Sequence, residues 1–96
     1  MREINFYRTE SGKCPVIDFL NSLSGKQAKK ITWVLKLFEE VSIIPEQYFK
    51  KLKSTNDIWE FRVIYSGDIF RLLGFFESNG NFIITNGFVK KNKKHR

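Results

Sequence analysis

Residues 59–77, WEFRVIYSGDIFRLLGFFE, decide how this chain is read. Two runs rich in aromatic and β-branched residues flank Ser66-Gly67, the pattern of a β-hairpin closed by a two-residue turn. Such a turn sets Tyr65 opposite Asp68, so that partner numbers sum to 133 and Arg62 lies opposite Arg71. With that parity Trp59, Phe61, Val63 and Tyr65 share a face with Phe70, Leu72 and Phe76, a surface suited to being covered by helices. A slip by one residue scatters them, whereas a four-residue turn moves the sum to 135 and still leaves both arginines on one side.

Downstream, Asn79-Gly80 is a second hairpin signal, so three strands are expected near 58–65, 69–77 and 81–90. Continuing the ladder through that turn gives partner numbers summing to 159, which sets Arg71 beside Phe88 and Ile69 beside Lys90. The second face then gathers Arg62, Arg71, Phe88 and Lys90, bordered by Glu60 and Asn86. Directly opposed like charges destabilise a sheet by up to about 1 kcal/mol, so something has to offset the arginine pair. One solution is an anion: two guanidiniums converge on a phosphate, Lys90 adds a point charge and Phe88 offers a ring for base stacking. The other is a solvated surface in which Arg62 pairs with Glu60 and Arg71 with Glu77. Ile58, Ile64, Ile69, Leu73, Phe75 and Ile84 fall on the same side, an apolar area that a partner protein, the C-terminal segment or residues 45–57 would cover.

Upstream, REINFYR (2–8) places Ile4 and Phe6 on one side, as in a half-buried strand. Pro15 suits the first position of a helix carrying Val16, Phe19, Leu20 and Leu23 on one stripe, ended by Ser24-Gly25. From Lys26 a longer helix follows, with Ala28, Ile31, Val34, Leu35, Phe38 and Val41 inward and Lys26, Lys29, Lys30, Lys36, Glu39 and Glu40 on the remaining surface. Pro45 lies beyond its end. Residues 45–57, with Lys50, Lys51 and Lys53, read as a connection. Cys14 and Trp33 read as packing residues. The expected architecture is α+β: β-α-α-β-β-β, two N-terminal helices packed on one face of a small antiparallel sheet.

The chain has 96 residues, of which 42% are hydrophobic, enough for a single domain over 1–96 with a basic tail at about 91–96. No apolar run approaches the ~18–20 residues of a membrane span, and MREINFYRTE lacks the apolar core of a signal peptide, so a cytoplasmic protein is expected. One cysteine and one histidine point away from disulfides and from a metal centre, and no cofactor is expected. The net charge of +7, with Lys90, Lys91, Lys93, Lys94 and Arg96 crowded at the end, favours a polyanionic partner, either nucleic acid or an acidic protein.

The run LKSTNDIWEFRVIYSGDIFRLLGFF, followed by NGFVKKNKK, resembles the HigB-like branch of the RelE/ParE toxin superfamily. The shared features are a lysine-rich connection, a Trp-Glu-hydrophobic-Arg strand, a Gly-Asp turn leading to an aromatic-Arg pair, and a strand ending in Phe-x-Lys-Lys. The resemblance spans essentially the whole chain and implies a RelE-like fold. It further implies the toxin of a type II toxin–antitoxin module, a ribosome-dependent, metal-independent endoribonuclease that cuts mRNA and inhibits translation. Its partner would be a cognate antitoxin, a HigA-like helix-turn-helix protein through which alone operator DNA is reached. The family's strand arginines fall on Arg62 and Arg71, its terminal lysines on Lys90 and Lys91, and its upstream lysines on Lys51 and Lys53. Arg62, Arg71 and Lys90 are thus the expected catalytic residues; Lys51, Lys53, Phe88, Lys91, Lys93 and Lys94 are expected to bind RNA.

The implied reaction is attack of a ribose 2′-hydroxyl on the adjacent phosphorus, leaving a 2′,3′-cyclic phosphate and a 5′-hydroxyl. Arg62 and Arg71 suit stabilisation of the phosphorane charge; the base is open among Lys90, Lys53 and Glu60. Arg71→Ala is expected to abolish toxicity while leaving the fold intact. Many relatives continue past Lys-Lys into a further helix, whereas this sequence stops at NKKHR, and His95 in that basic end is open to two readings, a catalytic acid or, as is commoner for a histidine in such a terminus, an inert side chain. The superfamily also contains ParE-type toxins that poison DNA gyrase without hydrolysis, and an arginine face alone fits those or a plain RNA-binding module.

Overall fold

The computed structural model describes residues 2–41, 43–53 and 56–90. Along them run β1 (Ile4–Phe6), α1 (Pro15–Asn21), α2 (Gly25–Glu40), β2 (Phe49–Lys51), β3 (Trp59–Tyr65), β4 (Asp68–Phe76) and β5 (Phe82–Lys90). The strands make one sheet in the order β1-β5-β4-β3-β2. Both helices cover the same face of it, α1 packing on β5 and α2 on β3. No helix among the described residues is long and apolar enough to cross a membrane.

Two features correct the expected topology. The sheet is mixed, because β1 runs parallel to β5, with Ile4 opposite Phe82 and Phe6 opposite Ile84. Alternating polarity tells which side of a strand is buried but not which way its neighbour runs. In addition, the stretch read as a connection contains β2, antiparallel to β3 with Phe49 opposite Phe61 and Lys50 opposite Glu60. Main-chain bonds extend this pairing at both ends, Arg62 N donating to Tyr48 O and Leu52 N to Ile58 O, each at 2.8 Å.

Local chemistry explains the helices. Pro15 occupies the first turn of α1, where its missing N–H costs nothing, after an extended Cys14 that is itself buried. α1 ends at Asn21, so Ser24 does not terminate it but starts α2: its hydroxyl accepts from Gln27 N while the Gln27 side chain accepts from Ser24 N. α2 buries Ile31, Val34, Leu35 and Phe38. Trp33, expected to pack, points the other way and is 56% exposed. The Phe38 ring lies 4.9 Å from those of both Phe49 and Phe61 and 5.7 Å from Phe82, an aromatic nucleus between helix and sheet. Arg2 caps the far end of α2, its guanidinium 4.3 Å over Phe38 and donating to the carbonyls of Phe38 and Val41. Glu39 accepts from Ile4 N at 2.9 Å, tying β1 to the same end.

The two hairpins settle the register. Ser66 (φ 52°) and Gly67 (φ 85°) both take the left-handed conformation of a type I′ turn, and β3–β4 pair from Tyr65–Asp68 through Arg62–Arg71 to Trp59–Gly74. The second loop is one residue longer than a two-residue turn: Glu77 N donates to Asn81 O, enclosing residues 78–80. Pairing therefore begins one step off, at Phe76–Phe82 and Gly74–Ile84. A β-bulge at Thr85 then restores the expected partners, Leu73–Asn86, Arg71–Phe88 and Ile69–Lys90. Thr85 donates its hydroxyl to Leu73 O across the irregularity. Gly74 is needed there, since any Cβ would meet the Ile83 carbonyl and the Phe82 ring. Between loop and bulge the faces are consequently exchanged: Ile84, expected on the arginine side, is fully buried with Phe82 in the helix-side core.

Candidate nucleic-acid interface

The pleat sorts β3 cleanly. Phe61 and Val63 enter the core, while Glu60, Arg62 and Ile64 project from the other side of the sheet. Cross-strand partners then define three rows on the face away from the helices. The first is Lys50, Glu60, Leu73 and Asn86; the second Arg62, Arg71 and Phe88; the third Ile64, Ile69 and Lys90. Arg62 and Arg71 are direct opposites in the middle row, and Lys90 is a diagonal neighbour of Arg71, at the ~7–8 Å typical of such pairs.

The offset for the arginine pair is Glu60. It is 3% exposed, and its Oε2 accepts from the Arg71 guanidinium at 2.8 Å, a diagonal contact across β3 and β4. The surface pairing considered from the sequence, Glu60 with Arg62 and Glu77 with Arg71, is thus replaced by a buried Glu60–Arg71 pair. Among the described residues, Glu60 Oε1 and Arg62 Nε are buried without a hydrogen-bond partner. Both residues border a cavity of about 360 Å³ whose other walls are Glu46, Gln47 and Lys50. One guanidinium is therefore held in place by a carboxylate, and the other has unused donor capacity beside an opening at the β2 edge. The Phe88 ring, 42% exposed, ends the arginine row.

The remaining candidates divide by position. Lys51 carries the parity of Phe49, not of Arg62, and bonds the exposed Asp57 at 2.9 Å. Lys53 is exposed in the turn after β2, towards the Trp59 end of the sheet. Lys91, Lys93, Lys94 and His95 lie outside the described residues. Lys50 joins the face without having been singled out; its signal, alternation about Phe49, spans too few residues to stand out. This face gathers four cations, Lys50, Arg62, Arg71 and Lys90, with the buried Glu60 among them, Glu46 on the cavity wall and an aromatic ring alongside, a set of side chains suited to an anion.

None of the curated proteins compared with the chain matches it significantly. The family model described as Phage derived protein Gp49-like (DUF891) matches residues 18–96, from within α1 through β5, and so takes in both arginine-bearing strands but not β1. The chain therefore belongs to the Gp49-like phage-derived protein family, a RelE/ParE-like toxin family of toxin–antitoxin systems.

Proposed function

We propose that this toxin is an endoribonuclease of the HigB-like kind that cuts mRNA on the ribosome, using the sheet face that carries Arg62 and Arg71. The observation that supports this reading is that Arg62 and Arg71 are direct cross-strand partners on the face away from the helices, with Lys50, Lys90 and Phe88 around them. A phosphodiester set over the middle row meets donors from both strands, and its neighbouring base meets the Phe88 ring. As the 2′-oxygen attacks phosphorus, the added negative charge falls between Arg62 and Arg71, whose forked N–H donors suit phosphate oxygens. The 2′-hydroxyl proton passes to a base and the 5′-oxygen gains one as its bond to phosphorus breaks; Lys90 and Glu60 are the groups within this face suited to those transfers. Glu60 also keeps Arg71 from swinging away from its opposite number.

A toxin of this family has a cognate antitoxin. We assign it to the HigA-like helix-turn-helix class, with exposed Ile64, Phe75 and Phe88 as apolar ground for it to cover.

Primer-extension mapping of cellular mRNA after brief induction, with plasmid supercoiling followed in parallel, tests the reading. New 5′ ends within translated codons, lost with Arg62→Ala, are expected. Intact transcripts with relaxed plasmid would replace the nuclease with a gyrase-directed inhibitor.

A further inference from the structure

A second basic surface lies on the opposite side of the molecule. At about 100° per residue, Lys26, Lys29, Lys30, Trp33 and Lys36 fall within roughly a third of the circumference of α2, directly away from buried Ile31, Val34, Leu35 and Phe38. Lys26, Lys29, Trp33 and Lys36 are exposed. Lys30 lies with its ammonium 5.0 Å from the centre of the Trp33 ring. Glu40 is the one acid on this stripe, at its C-terminal end, and Leu37 is half-buried beneath it. Helix–sheet packing does not account for an indole 56% exposed amid four ammonium groups.

We infer that the outer face of α2 is a second RNA-binding surface, in which Lys26, Lys29, Lys30 and Lys36 contact phosphates and Trp33 stacks on an unpaired base. Charge and composition together favour RNA over a protein here. Lysine is depleted from protein–protein interfaces, whereas surfaces for single-stranded nucleic acid combine cations along the backbone with aromatic side chains on which bases stack. The stripe from Lys26 to Lys36 extends about 15 Å along the helix axis, room for two or three nucleotides of backbone. Because α2 lies between this stripe and the sheet, an RNA held here is distinct from one held at Arg62 and Arg71. The protein would grip one segment at the arginine row and anchor to another behind it.

The test measures binding of the full chain to a 2′-O-methyl oligoadenylate of about twelve residues, which cannot undergo 2′-hydroxyl attack, across a potassium chloride series. An Arg62→Gln background weakens the sheet face, so that failure of the proposed function and failure of this inference separate. In that background, replacing the four lysines by glutamine is expected to flatten the slope of log affinity against log salt by about 3, at ~0.7 for each phosphate no longer neutralised. Trp33→Ala is expected to weaken binding about tenfold or more, and Trp33→Phe to restore most of it. Thermal midpoints should stay near that of the parent, because these side chains are on the surface. An unchanged slope in the lysine variant, or unchanged affinity in Trp33→Ala, overturns the inference. So does a polyglutamate peptide that binds this face more tightly than the oligonucleotide, which would make it a protein-docking surface.

Discussion

The two faces of the sheet are written by alternate residues of the same strands yet are held together by opposite means. On the helix side Phe61, Val63, Phe70, Leu72, Phe82 and Ile84 are almost completely buried among apolar neighbours, and each adds stability by leaving water. On the other side Glu60 is nearly as deeply buried as these, but in a charge pair, beside an arginine whose Nε has no partner among the described residues. The first arrangement is satisfied on its own; the second leaves Glu60 Oε1 and Arg62 Nε without hydrogen-bond partners among the described residues. Apolar packing and a charge pair are thereby separated across a layer one residue thick.

That separation can be broken in graded ways. The largest stability loss is expected from Phe61→Ala, which empties the aromatic nucleus around Phe38 and Phe49 and should cost about 3–5 kcal/mol in denaturant unfolding. Next comes Arg71→Ala, at about 3 kcal/mol, because it strands the Glu60 carboxylate in the interior. The variant is thus expected to fold with reduced stability. Glu60→Gln combined with Arg71→Ala should recover much of the loss, and a double-mutant cycle with no coupling between them would refute the pairing. Arg62→Ala is the cleaner probe of function. Its Nε makes no hydrogen bond within the described residues, so stability should change by about 1 kcal/mol or less while RNA cleavage falls ~10²- to 10³-fold. Wild-type cleavage by a folded Arg62→Ala protein would remove the arginine row from the chemistry. Smallest of all, Lys51→Ala breaks an exposed pair with Asp57 and should shift unfolding by no more than about 0.5 kcal/mol.

Much of this contrast is legible in the sequence, for reasons visible in particular residues. Ser66-Gly67 fixes turn geometry strongly, so the opposition of Arg62 and Arg71 follows from counting. The Ile31–Phe38 stripe of α2 is equally clear. Register beyond the second hairpin comes out right through two departures that cancel: a loop one residue longer than a two-residue turn and an extra residue at Thr85. Phe82, Ile83 and Ile84, lying between them, are offset by one, and of these the sequence reading assigns a face to Ile84. β2 escapes a sequence reading because three residues carry too little periodicity, and the burial of Glu60 does because it depends on a neighbour across the sheet. Trp33 misleads because bulk and apolarity usually mean burial, and its position on the helix, not its type, decides otherwise.

The insertion at Thr85 also divides the last strand into halves under different constraints. Before it, Phe82 and Ile84 point under the helices; after it, Asn86, Phe88 and Lys90 point to the opposite face, beside Leu73, Arg71 and Ile69. Deleting that single threonine would rotate the strand's distal end by half a turn, tucking the lysine and phenylalanine beneath α1 and presenting Val89 outward. A protein that had lost one codon there would have exchanged a basic, aromatic edge for a greasy patch without altering Asn86, Phe88 or Lys90 themselves.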